Sequence, residues 1–500
     1  MVDSNSPLAG LEHCTADQTS RSMPADSACQ ETSSQEIGRL GTCFPNLANK
    51  GVIKPGQPAR LVLAVSGGAD SMAMAWLARH WQQHSAKTVA LRAVTIDHGL
   101  RASSASEAEQ VAGWLAAMGI ETTIRRLDAV LPQGGVQAWA RNRRLDMLAA
   151  EAWPEQAMLV LAHQADDQVE TLLMRLAKGS GIHGLGGIRQ VAEWRGVRLL
   201  RPLLGERRAL LRQFCQEKRI PFIDDPSNDD LRFERVALRR AAPALAERGF
   251  GQPAMQRLGD YAGRIAAGFD QAVAAAASRW CQFLPSGAVI LHQQQLLGLP
   301  AAARKRLLGC MIEAVGGGLH PVSAAALERL DQVVINAGSM TLGRVMVEYR
   351  AAKYPRLVLT AEAASLTPPT AEKNWQFVAP GWWVWCPAGF RIGRLGSRKA
   401  AALRRSPCLP FWLQRAPARA LAVLPVILPE ENCLQHHEMP QPEGGVALDG
   451  GGFLPQVVIV DRHSMEPDVP AITQMYFTGF SRGLAASIME MQGLQKENAV

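Results

Sequence analysis

One glycine-rich segment of the sequence combines residue types that bind phosphate. It reads Ser66-Gly67-Gly68-Ala69-Asp70-Ser71 and lies between an apolar run at 61–65 and an apolar helical pattern. A strand, a Gly-Gly turn and a helix N-terminus form a nest of backbone N–H groups that suits an anion. No Gly-Lys-Ser/Thr follows, which argues against an ordinary P-loop that transfers a γ-phosphate. Because the Asp70 carboxylate would repel phosphate, we expect it to help place Mg²⁺ there.

A second segment, 161–171, carries a histidine and three acids at helical spacing. If a helix starts at this point, His163, Asp166, Asp167 and Glu170 share one face. Three carboxylates on one face repel one another unless a cation is nearby, and Mg²⁺ or a substrate ammonium group would serve. An acidic first turn favoured by the helix dipole is the alternative interpretation. A zinc site fits less well, because no cysteine accompanies the histidine.

Two further segments have polar residues that could contact a nucleotide. Asp97 and His98 follow an apolar strand, at the end where adenine or ribose could be bound, although a turn aspartate is an equal alternative. Lys178 begins a glycine-rich stretch, 178–187. This stretch predicts either a second phosphate-contacting loop or a flexible surface loop.

The elements that must position these residues alternate along the chain. Apolar runs predict strands at 60–65, 89–96, 121–127 and 158–162, and helical patterns lie between them at 70–82, 103–118 and 136–152. Strands alternating with helices of this length predict an α/β fold with a doubly wound parallel sheet. Ligands of such sheets bind beyond the carboxyl ends of the strands, where the polar segments occur.

The composition indicates a globular protein of several domains with a polyanionic partner. The 500 residues are 47% hydrophobic and 20% charged, with a formal net charge of +8. Residues 189–219 hold nine Arg or Lys against three Glu, and RNA phosphates are the natural partner of such a basic stretch. The nine cysteines include no Cys-x-x-Cys pair, which argues against a disulfide framework and a zinc cage and favours a reducing cytoplasm. We expect no membrane segment.

Shifts in composition suggest five regions. We expect a disordered N-terminal extension at 1–50, a catalytic domain at 51–240, a mainly helical accessory domain at 241–365, a small β-rich C-terminal domain at 366–465 and a tail at 466–500. The β-rich region contains several tryptophans and a basic stretch, 391–405, that could grip RNA. A small β core with a solvated basic loop explains these residues equally well.

The order of the motifs over about residues 60–240 resembles that of the tRNA(Ile)-lysidine synthase family. The glycine-rich segment by itself is similar to the pyrophosphate loop of the N-type ATP pyrophosphatases, the PP-loop enzymes. The other motifs that carry the resemblance are Asp97-His98-Gly99-Leu100-Arg101, Ala140-Arg141-Asn142-Arg143-Arg144, the block 163–187, Arg201-Pro202-Leu203-Leu204 and Asp225-Pro226-Ser227-Asn228. The resemblance implies an adenine nucleotide α-hydrolase-like, Rossmann-like sheet followed by a helical linker and smaller α+β accessory domains.

The resemblance also implies a reaction in two steps. ATP, with Mg²⁺, would adenylate the C2 oxygen of the cytidine at the first anticodon position of a tRNA(Ile) with anticodon CAU. Free lysine would then displace AMP through its ε-amine to give lysidine. The resemblance also allows assembly as a homodimer.

Roles for individual residues follow from the same resemblance. The loop Ser66–Ser71 would hold pyrophosphate, and Asp97 and His98 would belong to the nucleotide site. Asp167 and Glu170 would bind and help deprotonate the lysine ammonium. The α-phosphate or AMP would meet His163 and Arg235, and the predicted substrate or tRNA contacts are Arg141, Arg144, Lys178, Arg201 and Arg239.

The sequence departs from the family pattern at two places. Gln164 stands where a second histidine is usual, which puts that histidine's role in doubt. The usual Arg-Asn-Arg near the end of the catalytic domain reads Arg235-Val236-Ala237, so only its first arginine carries over, although Arg239 and Arg240 keep the charge.

Three alternative functions use the same fold. A tRNA thiolase would need cysteines, and none lies between Cys43 and Cys215. An amide ligase acting on a metabolite would need an ammonia-supplying domain and no basic face. An inactive RNA-binding protein would have no need of Asp70, Asp167 and Glu170.

Overall fold

The structure is a computed structural model that describes most of the chain between residues 38 and 362 and shorter segments beyond. The described ranges are 38–50, 52–53, 59–86, 88–97, 99, 104–127, 136–224, 234–284, 286–317 and 322–362, then 375–379, 382–385, 390–405, 416–422, 424–429, 446–447, 453–454, 456–459 and 474–477. Asp225 to Asn228 and His98 lie outside them.

The N-terminal half alternates strands and helices. Its elements are α1 Cys43–Asn49, β1 Ala59–Ala64, α2 Ala69–Ser85, β2 Val89–Asp97, α3 Ser104–Ala117, β3 Glu121–Arg126, α4 Val136–Ala152, β4 Met158–Val160, α5 Ala165–Ala177, α6 Ile182–Leu185, β5 Val191–Trp194, β6 Val197–Leu200, α7 Arg208–Glu217 and α8 Glu234–Leu245.

The C-terminal half begins with a long helix and continues as mixed helix and strand. Its elements are α9 Gln252–Ala277, β7 Cys281–Phe283, β8 Val289–His292, α10 Gln293–Leu297, α11 Ala301–Gly316, α12 Ala324–Ile335, β9 Met340–Leu342, β10 Val345–Arg350, β11 Arg356–Ala361, β12 Trp375–Ala379, β13 Trp382–Trp385, β14 Phe390–Arg394, α13 Gly396–Arg405, α14 Ala418–Ala422, β15 Pro425–Pro429, β16 Val446–Ala447, β17 Phe453–Leu454, β18 Gln456–Ile459 and β19 Gln474–Phe477.

The first six strands form one sheet in the order β3-β2-β1-β4-β6-β5. All neighbours in it are parallel except the edge hairpin β5–β6. The predicted α/β fold with a parallel, doubly wound sheet is therefore confirmed, and the four predicted strands lie side by side as β3-β2-β1-β4, starting from one edge. The edge hairpin is an addition that alternation along the sequence did not reveal.

Both faces of strand β1 are buried, which explains its continuous apolar sequence. Leu61 and Leu63 belong to one core cluster together with Met72 of α2. Val62 belongs to a second cluster together with Trp153, beyond the end of α4. Because side chains of a strand alternate between faces, these two clusters lie on opposite sides of the sheet. Helix α2 covers one side and helix α4 covers the other.

The predicted disordered extension at 1–50 is wrong for its last residues. Helix α1 packs into the core of the first sheet, where Phe44 is 1% exposed and Leu47 is 0% exposed. The Phe44 ring stacks on Trp81 of α2 with a centroid distance of 5.6 Å. The helix has only seven residues, so packing rather than helical periodicity stabilises it. Residues 1–37 lie outside the described part of the chain.

Residues 241–365, predicted to be mainly helical, also contain a five-stranded antiparallel sheet in the order β7-β8-β11-β10-β9. Helix α11 packs on it, and Leu307, Met311 and Leu359 are fully buried between them. Strand β19 falls in the predicted tail but pairs with β13 and β18. No helix among the described residues combines the length and apolar character needed to cross a bilayer.

Candidate active site

The sheet places two loops side by side at its centre. Strands β1 and β4 are neighbours, with Leu63 opposite Val160, although these two residues are 97 positions apart in sequence. The chain proceeds from β1 towards one edge of the sheet and returns at β4 towards the other edge. The turns that follow these two strands therefore flank the crevice where α/β sheets bind ligands.

The turn after β1 forms the expected anion-binding arrangement. The Ser71 hydroxyl donates to the Gly68 carbonyl at 2.9 Å and accepts from the Ser66 amide at 3.2 Å. Gly68 is the N-cap of α2, and no side chain caps this helix. The positive end of the helix dipole is thus left to an external anion.

Gly67 is required by the shape of this turn. Its φ is +89°, and a Cβ at this position would lie 2.6 Å from Val111 Cγ2 on α3. We predict that Gly67→Ala lowers the free energy of unfolding by about 1–3 kcal/mol through strain and overlap. Urea unfolding would measure this.

Gly68→Ala is the matched control for that measurement, since a Cβ there meets only Ser66 Oγ, at 4.0 Å. We expect it to keep the stability of the parent. Equal stability of the Gly67→Ala and Gly68→Ala variants would contradict the prediction.

Asp70 lies in the first turn of α2 with one oxygen paired and the other not. Its Oδ2 is 3.6 Å from Arg208 Nε, while Oδ1 is buried and has no hydrogen-bond partner. Burial raises the pKa of Asp70 to about 6, an effect that Arg208 opposes and Asp167 reinforces. An orphaned carboxylate oxygen beside a phosphate nest fits Mg²⁺, which is commonly held by one carboxylate together with substrate phosphates and water. Among the described residues no group of three acids, histidines or cysteines forms a metal cage by itself.

Helix α5 begins at Ala165, so His163 does not share its face, contrary to the expected spacing. Gln164 is the N-cap: its side-chain oxygen accepts from the Asp166 amide at 2.5 Å, and Asp167 Oδ2 accepts from the Gln164 amide at 3.1 Å. Gln164, which stands where the family pattern has a second histidine, therefore caps α5 through its side-chain oxygen.

Asp166 and Asp167 both contact the start of α7. Asp166 Oδ2 accepts from the Arg208 backbone amide at 2.9 Å, and Asp167 Oδ1 lies 3.6 Å from Arg208 Nη2. The Arg208 guanidinium therefore lies between Asp70, which follows β1, and Asp167, which follows β4. Arg208 thus connects the predicted phosphate-binding turn with the predicted acidic segment, although its sequence context did not point to this role.

Glu170 is the most buried acid of the site, with a side chain 5% exposed. Its Oε1 accepts from Arg239 Nε on α8 at 3.0 Å, and its Oε2 is buried without a partner. Burial raises the pKa of Glu170, and Arg239 partly offsets this. The unpartnered oxygen is suited to accept a proton or an ammonium N–H.

His163 lies in the loop between β4 and α5, where Arg201 fixes its ring. Arg201 Nε donates to His163 Nδ1 at 3.2 Å, which places any proton of the neutral ring on Nε2. Arg201 Nη1 donates to the Arg189 carbonyl at 2.8 Å. The residue is buried, and burial lowers its pKa to about 10. Arg201 therefore positions His163, and its direct contact with substrate or tRNA stays a prediction.

The remaining predicted residues are distributed around this centre. Asp97 is buried at the end of β2, and its Oδ1 accepts from the Gly99 amide at 2.9 Å and from the Ser104 hydroxyl at 2.5 Å, as a turn aspartate does. Arg141 and Arg144 lie on α4, with Arg141 close enough to Arg201 to lower its pKa further. Arg235 belongs to α8, but its side chain is outside the description.

The glycine-rich stretch from Lys178, itself exposed, is fastened to α5 rather than loose. Arg175 Nη1 donates to the carbonyls of Gly184 at 2.6 Å and Gly187 at 2.9 Å. Gln168 donates to the Ile188 carbonyl and accepts from its amide. The flexible-loop alternative therefore does not describe residues 184–188.

Arg208 and the role of Arg239 were missed because their signals are weak. Arg208 is one of nine cations in a basic stretch, and nothing in its spacing separates it from Arg207. Its position as the first residue of an amphipathic helix, after Arg207 as the N-cap, does not distinguish it either, because cations are typical of the last turn of a helix.

Comparison with known proteins gives consistent matches over the catalytic half and beyond. The family described as a PP-loop domain matches residues 46–245. A tRNA(Ile)-lysidine synthase from Hyphomonas neptunium is 35% identical over 321 residues, 62% of this chain and 84% of that protein. One from Rhodopseudomonas palustris is 40% identical over 251 residues, 50% of this chain and 72% of that protein. Among solved structures, a U34-tRNA thiolase from Methanococcus maripaludis with a 4Fe–4S cluster is 16% identical with a TM-score of 0.40, covering 47% of this chain and 80% of that one.

Proposed function

The chain belongs to the tRNA(Ile)-lysidine synthase family, and from this premise we propose that its site joins free lysine to the cytidine at the first anticodon position of a CAU-anticodon tRNA(Ile). The enzyme is an ATP-using ligase that forms a carbon–nitrogen bond. One observation carries the proposal: the Arg208 guanidinium lies 3.6 Å from both Asp70 and Asp167. The phosphate-binding turn and the acids suited to an ammonium group are therefore parts of one site.

In the first step the cytidine O2 attacks the α-phosphorus of ATP, and the bond to the bridging oxygen breaks to release pyrophosphate. The turn Ser66–Ser71 holds that pyrophosphate through the N-terminus of α2. Asp70 would hold Mg²⁺, which supplies neutralisation of charge on the phosphates. His163, with its proton on Nε2, donates to a non-bridging oxygen of the α-phosphate.

In the second step the lysine ε-nitrogen attacks C2, the C2–O2 bond breaks, and AMP leaves with the oxygen. The amine attacks only after it has lost a proton, and the unpartnered Glu170 Oε2 accepts it. Burial makes this carboxylate a stronger base than an exposed glutamate. Asp167, on the preceding turn of α5, holds the ammonium group before the transfer.

RNA binding follows from charge at the edge of this site. Arg141 and Arg144 on α4, Arg239 on α8 and Lys178 at the end of α5 supply cations to the anticodon phosphates. The four cysteines recorded as free thiols among the described residues are buried.

Mass analysis of the anticodon tests the proposal. The full-length protein is incubated with ATP, Mg²⁺, isotopically labelled lysine and either tRNA(Ile) or tRNA(Met), which shares the CAU anticodon. We expect one lysine mass on the cytidine of tRNA(Ile) and none on tRNA(Met). Absence of that mass, or a sulfur mass in its place, would show that the proposed function is wrong.

A further inference from the structure

Arg208 lies between the groups proposed to bind ATP and those proposed to bind lysine. Its Nε faces Asp70 Oδ2 and its Nη2 faces Asp167 Oδ1, each at 3.6 Å. Both distances exceed the 2.7–2.9 Å typical of charge-assisted hydrogen bonds. The guanidinium is therefore shared between two carboxylates without a tight bond to either, and its side chain is one-third exposed.

This arrangement sets up competition for Asp167. A lysine ammonium needs the carboxylate that Arg208 already neutralises, and two cations on one carboxylate repel each other. Without ATP, bound lysine must either displace the guanidinium or share the carboxylate with it. Both alternatives lower its affinity.

ATP changes the balance on the other side of the guanidinium. Pyrophosphate oxygens at Ser66–Ser71 would lie in the same turn as Asp70, within the reach of Arg208. A guanidinium fork matches phosphate geometry and binds it in two places. A cation placed on Asp70 would also remove the attraction that draws Arg208 towards that carboxylate. Both effects move the guanidinium towards the phosphates and away from Asp167.

We propose that Arg208 makes lysine binding depend on ATP, by occupying Asp167 until the phosphates draw the guanidinium away. This inference rests on the proposed function, because it takes the cation at Asp167 to be the lysine ammonium. Before ATP binds, the Arg208 guanidinium would thus weaken the binding of lysine and other amines at Asp167. Because binding linkage is reciprocal, lysine would tighten ATP by the same factor.

Equilibrium dialysis of labelled lysine tests the coupling apart from turnover. The full chain and tRNA(Ile) are present in every arm, with or without Mg²⁺ and α,β-methylene-ATP, which cannot be cleaved between the α and β phosphates. For the parent protein we expect the analogue to raise lysine affinity about tenfold. For Arg208→Met we expect tighter lysine binding without the analogue and a coupling factor near one.

Two further variants keep the result interpretable. Arg208→Lys retains a charge but cannot span both carboxylates, so we expect most of the coupling to be lost. Arg208→Met and Arg208→Lys both keep the backbone amide that donates to Asp166 Oδ2, so α7 should still form. Arg350→Met removes an exposed arginine paired with Glu348 at 2.9 Å and should keep the full coupling.

The outcomes separate the two hypotheses. Lysine that binds the parent equally well with and without the analogue would overturn the coupling and leave the proposed function standing. Unchanged coupling in Arg208→Met would do the same. Failure of lysine to bind the parent in any arm would overturn the proposed function, and the coupling with it.

Discussion

Glu170→Gln is expected to reduce lysine transfer to tRNA by about 10²- to 10⁴-fold while pyrophosphate release continues, as loss of a general base does. The amide is close to isosteric but cannot accept the ammonium proton at the position of Oε2. The adenylation step uses the phosphate-binding turn and does not need this proton transfer. Incorporation of labelled lysine and release of pyrophosphate, measured with the same tRNA, separate the two steps.

The pH dependence of lysine transfer gives a second test of the same role. Glu170 must be ionised to act as a base, and burial raises its pKa above the ordinary range. The parent rate should therefore fall as the pH decreases through that raised pKa, and Glu170→Gln should lose this limb of the profile. Glu328→Gln is the matched control, because Glu328 is exposed and paired with Lys305. Equal losses of both steps in Glu170→Gln would contradict the assignment.

Asp70→Asn is expected to lower ATP cleavage by about a hundredfold or more and, at the same time, to stabilise the ligand-free protein. Its pKa in the fold is about 6, against an ordinary value of 3.8. A raised carboxyl pKa favours the protonated form, so the benefit of folding is complete below the ordinary pKa and is lost as the pH rises through about 6. At neutral pH the ionised carboxylate opposes folding, and the neutral amide removes that cost.

The expected gain in the free energy of unfolding is about 2 kcal/mol at pH 8, after allowance for partial exposure of the side chain. It should be about 1 kcal/mol smaller at pH 5, where part of the parent population is already protonated. Urea unfolding at the two pH values measures both quantities. Asp260→Asn, at an exposed position on α9, is the control and should show no such difference. A loss of stability in Asp70→Asn at pH 8 would contradict the prediction.

These two predictions share a physical cause. An enzyme that must bind phosphates, a divalent cation and an ammonium group in one crevice has to bury carboxylates that oppose folding until ligands arrive. Asp70 Oδ1 and Glu170 Oε2 are both buried without a hydrogen-bond partner. Ligands that bind these carboxylates stabilise the folded parent protein. We therefore expect ATP with Mg²⁺ to reduce the difference in the free energy of unfolding between Asp70→Asn and the parent.

Sequence motifs predicted those parts of the site that are formed by residues close together in the chain. The turn Ser66–Ser71 was readable because a buried strand, two glycines and a helix start are adjacent in sequence. Asp167 and Glu170 were readable because one helix carries both. The prediction that His163 lies on this helix was wrong, since the helix begins at Ala165, after Gln164 as the N-cap. The buried helix Cys43–Asn49 was missed because seven residues carry too little periodicity to distinguish it from an extension.

The fold class, the phosphate-binding turn and the acidic helix were predictable from sequence, because hydrophobic periodicity and turn chemistry act over a few residues. Which cations pair with those acids depends instead on long-range packing. Arg239 pairs with Glu170 across 69 positions of sequence, and Arg208 meets Asp70 and Asp167 because β1 and β4 are neighbours in the sheet. Strand order brings these side chains together, and no spacing along the chain encodes it.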